Sequence, residues 1–499
     1  MLMLLTLMAC SGDDSGIDTT ENAGGDFDLT ELFPANDALD VPLDTNIVAQ
    51  FNKDLRVGDI GVVGRRSVSG IDGNTLTAEL SEPLDLLTTY TVQTLGITSV
   101  DGDAFADIQA SFTSRDGTWQ AAESIAGQTD TTRYAAAVSG ETTVLFTAGP
   151  EGIEVLTLTG GIPSEPVVLD QGDVSFDTWL VANDDESVAA WTHYGDVFIS
   201  STSADGIWSA PLPMRVPTFD AQTPTGLAIT DDGTVAVSWR VNTLKTQVTT
   251  RVEGEWSAPI DLGCAAQGEC SSVSLSVDHT GGFSAMILAT TDGGQRIETS
   301  SFRNNAWTAP QVLFDVDGDI AEPVVHVQAD ETLAMWRVTN SEDAGLYQSR
   351  LSDDNTWSDV IQVRDGDGIT SLDMVALADG SWTAAWIEVQ PDSEVDSTTL
   401  WVSGVEDTAL TDPFRLIEST TAFGQVDLLA DAGGNLHLTW TELSEPARLL
   451  TRRFNHRTGW DDAVQLGTDT GPAQLLTLPG NRSHAVFIES DQLTTAFFE

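Results

Sequence analysis

Five carboxylates fall in two short stretches punctuated by glycine, Asp315-Val316-Asp317-Gly318-Asp319 and Asp365-Gly366-Asp367. Carboxylates alternating with small residues on a tightly turned backbone supply the closely spaced oxygens that calcium requires. A second acidic set, Glu342, Asp343, Asp392, Glu394 and Asp396, belongs to loops suited to ligand binding. The strict EF-hand spacing is absent. The rest of the chain is acidic too, so solvated acidic turns compete with the calcium reading. Cys264 and Cys270, in Cys264-Ala-Ala-Gln-Gly-Glu-Cys270, have no His or further Cys nearby to complete a zinc site. In an exported chain such a pair reads as a local disulfide. There is no Gly-x-Ser-x-Gly, no His-Glu-x-x-His and no phosphate-binding loop. The six histidines, His193, His279, His326, His437, His456 and His484, are dispersed without ligand spacing.

A regular repeat must position these residues. Trp119, Trp208, Trp256, Trp307, Trp357 and Trp460 each follow a polar turn, and Pro163-Ser164-Glu165-Pro166 and Asp412-Pro413-Phe414 fill the two gaps as degenerate copies. About thirty residues after each start, by the periodicity of a repeat, a strand ends in a large apolar residue: Phe146, Trp191, Trp239, Met286, Trp336, Trp386, Trp440 and Phe487. Four short strands per repeat of this length is the pattern of a propeller blade. Eight repeats predict an eight-bladed β-propeller over residues 116–499, with seven blades as the alternative if the degenerate first copy is not a blade. The last repeat lacks its outer strand, and Trp119 to Ile125 has no strands before it. The two should combine to close the ring and remove its free sheet edges. In this geometry the loop from an outer strand to the next inner strand shares a face with the loop between strands two and three. The segment with Cys264 and both carboxylate stretches should therefore lie side by side on consecutive blades.

Composition narrows the partners. The chain of 499 residues carries a formal charge of −56 and contains only two lysines, Lys53 and Lys245. Nucleic-acid binding needs a basic footprint and is excluded. Contact with anionic lipid headgroups is disfavoured on the same ground. A monomer is expected.

Three resemblances add to this reading. Leu7-Met8-Ala9-Cys10, at the end of a short apolar run, resembles the lipobox of bacterial lipoproteins. That resemblance makes residues 1–10 a signal-peptide remnant and Cys10 the acylated residue, and Ser11 directs the protein towards the outer membrane. Residues 11–28 are rich in Gly, Ser and Asp and read as a flexible acidic linker. Next, Phe33 to Thr45, the alternating Ile47-Val48-Ala49-Gln50-Phe51, Thr88-Thr89-Tyr90-Thr91-Val92 and Ser111-Phe112-Thr113 resemble the bacterial Ig-like domain of surface proteins. This implies a β-sandwich over residues 29–115 that acts as a spacer. Finally, Ser203-Ala204-Asp205-Gly206-Ile207-Trp208 and Ser352-Asp353-Asp354-Asn355-Thr356-Trp357 are similar to the Asp-box of sialidase-type propellers, a folding motif. A sialidase-like hydrolase is the enzymatic alternative. Against it stand only four tyrosines, and an Arg215-Val216-Pro217 in the third repeat where the family has Arg-Ile-Pro early in the propeller. Arg240 and Arg337 both follow a second-strand Trp. A cell-envelope lipoprotein whose propeller binds a protein, a glycan or a divalent cation is favoured over hydrolysis, because fold alone licenses no chemistry.

Overall fold

The computed structural model describes residues 27–499 apart from 130, 150–151, 172–177, 203–204, 215–221, 242–244, 264–268, 322, 329–330 and 391–396. Cys10, Cys264, Asp392, Glu394 and Asp396 therefore lie outside the described residues. No helix is long and apolar enough to cross a membrane among the residues described. The chain divides into two units, Met1–Gly117 and Thr118–Glu499.

In the first unit two four-stranded sheets face each other. One runs in the order Leu29–Phe33, Ile47–Phe51, Thr75–Leu80, Ser67–Asp72; the other in the order Ala38–Val41, Gln109–Ser114, Thr89–Ser99, Leu55–Val62. Ile47, Ala49 and Phe51 are fully buried while Gln50 is exposed, as alternation along a half-buried strand demands. Phe27, Phe51 and Phe105 meet tilted or edge-on with centroids within 6 Å of one another, and Tyr90 packs on Phe112. This is an Ig-like sandwich.

The second unit contains eight further antiparallel sheets of four or five strands. Their inner strands are Arg133–Ser139, Trp179–Ala182, Gln222–Ile229, Glu269–Val277, Val324–Val327, Ile369–Ala376, Phe423–Ala430 and Gln474–Leu478. Each inner strand packs against the next, and the eighth packs against the first, which closes the ring. The propeller has eight blades. The eighth consists of Gln474–Leu478, Arg482–Glu489, Gln492–Phe498 and, from the start of the unit, Glu123–Thr129. Trp119 bridges Phe498, and Thr118 and Glu499 exchange two backbone hydrogen bonds. The expected strand exchange therefore closes the ring.

Second strands form the core of each blade. Phe146, Trp191, Trp239, Trp336, Trp386 and Phe487 have no exposed surface, and Trp440 has almost none. Cross-strand register refines two details of the repeat. In blade 3, Val235 pairs with Arg251 and Arg251 with Trp256. In blade 4, Phe283 pairs with Phe302 and Phe302 with Trp307, so Ile287 rather than Met286 occupies the position of Trp239. The residues standing where Trp begins the outer strand are also shifted in the degenerate copies. They are Ile162 in blade 1 and Leu410 in blade 6, paired through Thr159 and Val405. Both precede the degenerate copies read from sequence, Pro163-Ser164-Glu165-Pro166 and Asp412-Pro413-Phe414, by one or two residues. Without an aromatic landmark the sequence leaves a short slip open, and only the ladder resolves it.

The outer-strand Trp is a wedge between blades. Trp256 packs with Val188, Val197 and Ile199 of blade 2. Trp307 packs with Ala236 of blade 3, and its indole N–H donates to Thr250 Oγ1 at 3.0 Å. Trp460 packs with Ala385 and Leu400 of blade 6. Such contacts bury aromatic surface at every seam they occupy.

Candidate functional site

Three of the loops carrying predicted acidic residues, those with Asp315–Asp319, Glu342–Asp343 and Asp365–Asp367, come together. Asp315 ends the outer strand Gln311–Val316 of blade 4, and Asp319 begins blade 5. Asn340 Nδ2 donates to Asp319 at 2.6 Å, which ties that segment to the turn carrying Glu342 and Asp343. The Gly366 N–H donates to the Ala344 carbonyl at 3.1 Å and joins the Asp365 segment to the same turn. Tight backbone passages make this proximity possible. Gly294, at φ +147°, has the Val316 carbonyl 2.1 Å from where a Cβ would stand. Gly345 meets the Arg364 carbonyl in the same way.

Proximity of loops does not assemble a metal cage here. Asp315 receives the Arg296 guanidinium through Nε at 2.9 Å. Arg296 also lies 3.8 Å from Glu298, a residue with almost no exposed side chain. The Asp367 carboxylate accepts the Gly368 N–H at 3.0 Å. Among the described residues no group of three or more His, Cys, Asp or Glu side chains is arranged to hold a metal ion. Glu342 and Asp343 are exposed, and the Asp343 carbonyl accepts the Tyr347 hydroxyl at 2.6 Å. Cys270 is buried at the start of the inner strand of blade 4.

Two further concavities lie elsewhere, around the ring axis. One cavity of about 690 Å³ is lined by inner-strand residues of blades 1, 2, 7 and 8: Arg133, Tyr134, Trp179, Gln425, Asp427 and Gln474 among them. A second, of about 750 Å³, is lined from blades 5, 6 and 7, including Arg337, Ser371, Asp373, Gln425 and Asp427. The two adjoin at Gln425 and Asp427, which line both, and together they make up the mouth around the ring axis.

Register explains its composition. Ala136, Trp179, Gly226, Ser274, Val324, Asp373, Asp427 and Gln474 each lie opposite the residue before the blade's buried second-strand landmark. They are the same position in eight blades. From blade 6 onward this position is polar and reaches to the next inner strand. Asp373 accepts the Leu428 N–H, and Asp427 the Leu475 N–H, both at 2.7 Å. Gln474 accepts the Ala136 N–H at 2.9 Å and donates to its carbonyl at 2.7 Å. Inner strands expose an unpaired edge to the axis, and these side chains satisfy it.

The same arrangement perturbs titration. Asp373 and Asp427 hydrogen-bond to each other. Burial, together with the charge of Asp427, drives Asp373 well above the usual carboxylate range. Burial pushes Asp427 up to about 6. Two carboxylates in contact cannot both ionise cheaply, so the pair retains a proton. His326, 4.0 Å from Asp373, keeps 40% of its side-chain surface. Desolvation lowers its pKa to about 4. Burial raises Tyr134 above its ordinary range, and its hydroxyl donates to the Val486 carbonyl at 2.7 Å. Arg337 donates to the Ile369 carbonyl at 2.8 Å.

Sequence reasoning placed the functional face by its carboxylate density and missed this mouth. Asp373, Asp427 and Gln474 are spaced one repeat apart, a signal visible only after the inner strands are in register.

Comparison with known proteins agrees with the two-unit division. Residues 25–114 match the bacterial Ig-like domain family. No curated protein sequence matches the chain. Among solved structures, the chain is similar to a Mycobacterium tuberculosis puromycin-hydrolyzing peptidase, with TM-score 0.44 and 14% identity, over 75% of this chain and 61% of that one. The chain thus spans less than two thirds of that peptidase. It is also similar to the polysaccharide lyase Uly1, with TM-score 0.43 and 9% identity over 66% and 91% of the two chains. A Penicillium chrysogenum α-L-arabinanase gives TM-score 0.34 and 9% identity over 55% and 92%.

Proposed function

We propose that this is a lipid-anchored cell-envelope protein whose propeller binds a glycan at the mouth around the ring axis. The observation that carries this reading is the pairing of an accessible indole with planar polar groups. Trp179 keeps 37% of its surface in the first cavity, beside Gln425, Asp427 and Gln474. Aromatic faces pack on the C–H faces of sugars, and amide and carboxyl groups match neighbouring hydroxyls. Concave sites with a few convergent polar groups are the usual places for small ligands.

Binding is preferred to hydrolysis for a geometric reason. Glycoside hydrolysis needs two carboxyl groups about 5 Å or more apart, flanking the scissile bond. Asp373 and Asp427 bond to each other and to backbone N–H groups, so no sugar ring fits between them. Tyr134 is held by a carbonyl and is a poor nucleophile. Calcium does not enter the proposal, since the Asp315 charge is offset by Arg296. A Cys264–Cys270 disulfide would fix the blade 4 loop on the acidic face.

Two experiments test the reading. Calorimetry against a panel of neutral and acidic oligosaccharides should find a binder, and Trp179→Ala should weaken it at least about ten-fold, the loss expected of one aromatic contact. Release of reducing ends from any panel member would overturn the non-catalytic part. For the anchor, labelling cells with a fatty-acid analogue should mark the wild type, and Cys10→Ser should abolish the label. An unlabelled wild-type protein would remove the anchor from the proposal.

A further inference from the structure

Six seams of the ring contain a Trp wedge. The seam between blades 5 and 6 has Leu410, and that between blades 8 and 1 has Ile162. At the blade 8–blade 1 seam the wedge does not enter: Ile162 is 74% exposed. Phe497 stands where Thr250 receives Trp307 at the third seam, and it stacks on His484 with ring centroids 4.0 Å apart and planes 11° from parallel. His484 is bonded through Nδ1 to Thr143 Oγ1 of blade 1 at 2.9 Å, and burial keeps its imidazole neutral, with a pKa of about 3.

These rings fill the seam only in part. A cavity of about 600 Å³ remains between Gly160, Gly161, Ile162 and Leu158 on one side and Phe497, Phe498 and Ile125 on the other. An apolar space left by a missing side chain accepts an aromatic molecule of similar shape. Its polar lining is unbalanced: Glu123, Glu141 and Glu499 also line it, against one guanidinium, Arg482, whose Nε is already donated to the Pro479 carbonyl. Carboxylates beside an aromatic cleft favour a ligand that pairs a ring with a cation.

We propose that the closure seam is a second binding site, distinct from the axial mouth, and that it takes an aromatic ring bearing a cationic amine. The ring replaces the absent indole wedge against Phe497, and the amine faces the three carboxylates. This site shares no lining residue with either axial cavity, so its occupancy is independent of any glycan.

Tryptamine and indole-3-acetate are the probes, since they share a ring and differ in charge. Calorimetry on the full chain should give one tryptamine site. Indole-3-acetate should bind at least about ten-fold more weakly, the factor expected when attraction to half-screened carboxylates turns to repulsion. Ile162→Trp should fill the cleft, raise the melting temperature and abolish tryptamine binding. Should that variant fold poorly, the surface double variant Glu123→Gln/Glu141→Gln should bind tryptamine several-fold more weakly and erase most of the preference over indole-3-acetate. Absence of tryptamine binding to the wild type, or binding unaltered in both variants, overturns the proposal.

Discussion

Replacing Trp119 with alanine should cost the propeller about 3 kcal/mol, the low end for a large aromatic because this one is half-buried, and should loosen the whole ring. Trp119 lies in the cluster joining Leu449 and Leu466 of blade 7 to Leu475, Ala485 and Phe487 of blade 8. Its ring meets Phe498 and His437 edge-on, both at 5.6 Å. Beyond packing, it holds the strand that joins the two ends of the ring. Gln120 N–H donates to the Phe497 carbonyl at 2.7 Å, and Ser124 and Glu123 pair with Thr494 and Thr495. For a unit of this size the loss corresponds to a fall of about 4 °C in melting temperature.

Trp208→Ala is the informative control. Trp208 wedges blade 1 against blade 2 through the cluster around Phe146 and Trp191, yet its strand connects no distant parts of the chain. Both variants should lose comparable stability. Only Trp119→Ala should expose residues 118–129 to limited proteolysis under native conditions, because local opening follows the least-supported element. Equal protease resistance in the two variants would show that closure does not depend on the Trp119 wedge.

The architecture was legible from sequence because each blade repeats two landmarks, and landmarks in register define a ring. Closure by the Trp119 strand followed from an incomplete last repeat and an unpartnered first strand. Where a landmark degenerates, the reading slips: Ile162, Leu410 and Ile287 were each displaced by one or two residues. The axial mouth escaped notice for a related reason. Asp373, Asp427 and Gln474 are single polar residues among alternating strand positions, and nothing in the local sequence sets them apart from polar neighbours such as Ser371 and Gln425. Their meaning depends on adjacent inner strands meeting side by side, a non-local fact. The acidic loops, by contrast, cluster locally in sequence. The structure shows them adjacent but already engaged, Asp315 with Arg296 and Asp319 with Asn340. Density of carboxylates is therefore a weaker guide to a site than recurrence at one position of the blade.

Asp427→Asn should stabilise the propeller by about 3 kcal/mol above pH 6.5, following the rise of its pKa to about 6 at 1.36 kcal/mol per unit. At pH 4 it should have almost no effect. In the unfolded chain this carboxyl ionises near pH 4. In the folded chain it keeps its proton until about pH 6. Between these values the folded state binds the extra proton, so the wild type loses stability as pH rises through the window. The carboxamide is neutral throughout. Its carbonyl oxygen can accept both the Leu475 N–H and the proton held by Asp373, so the pair stays neutral. Three histidines act in the opposite sense. Burial lowers His326 to about 4, His484 to about 3, and His437 well below its ordinary value. Each contributes stability above pH 6.5 that is lost as pH falls, because only the unfolded state takes up the proton. They are unchanged in the variant and cancel in the difference. Denaturant unfolding of both proteins from pH 4 to pH 8 should therefore give a difference curve that climbs from near zero and levels off above pH 6.5. A flat difference, or a variant less stable at pH 8, would mean that Asp427 serves the ring as an ionised acceptor rather than as half of a protonated pair.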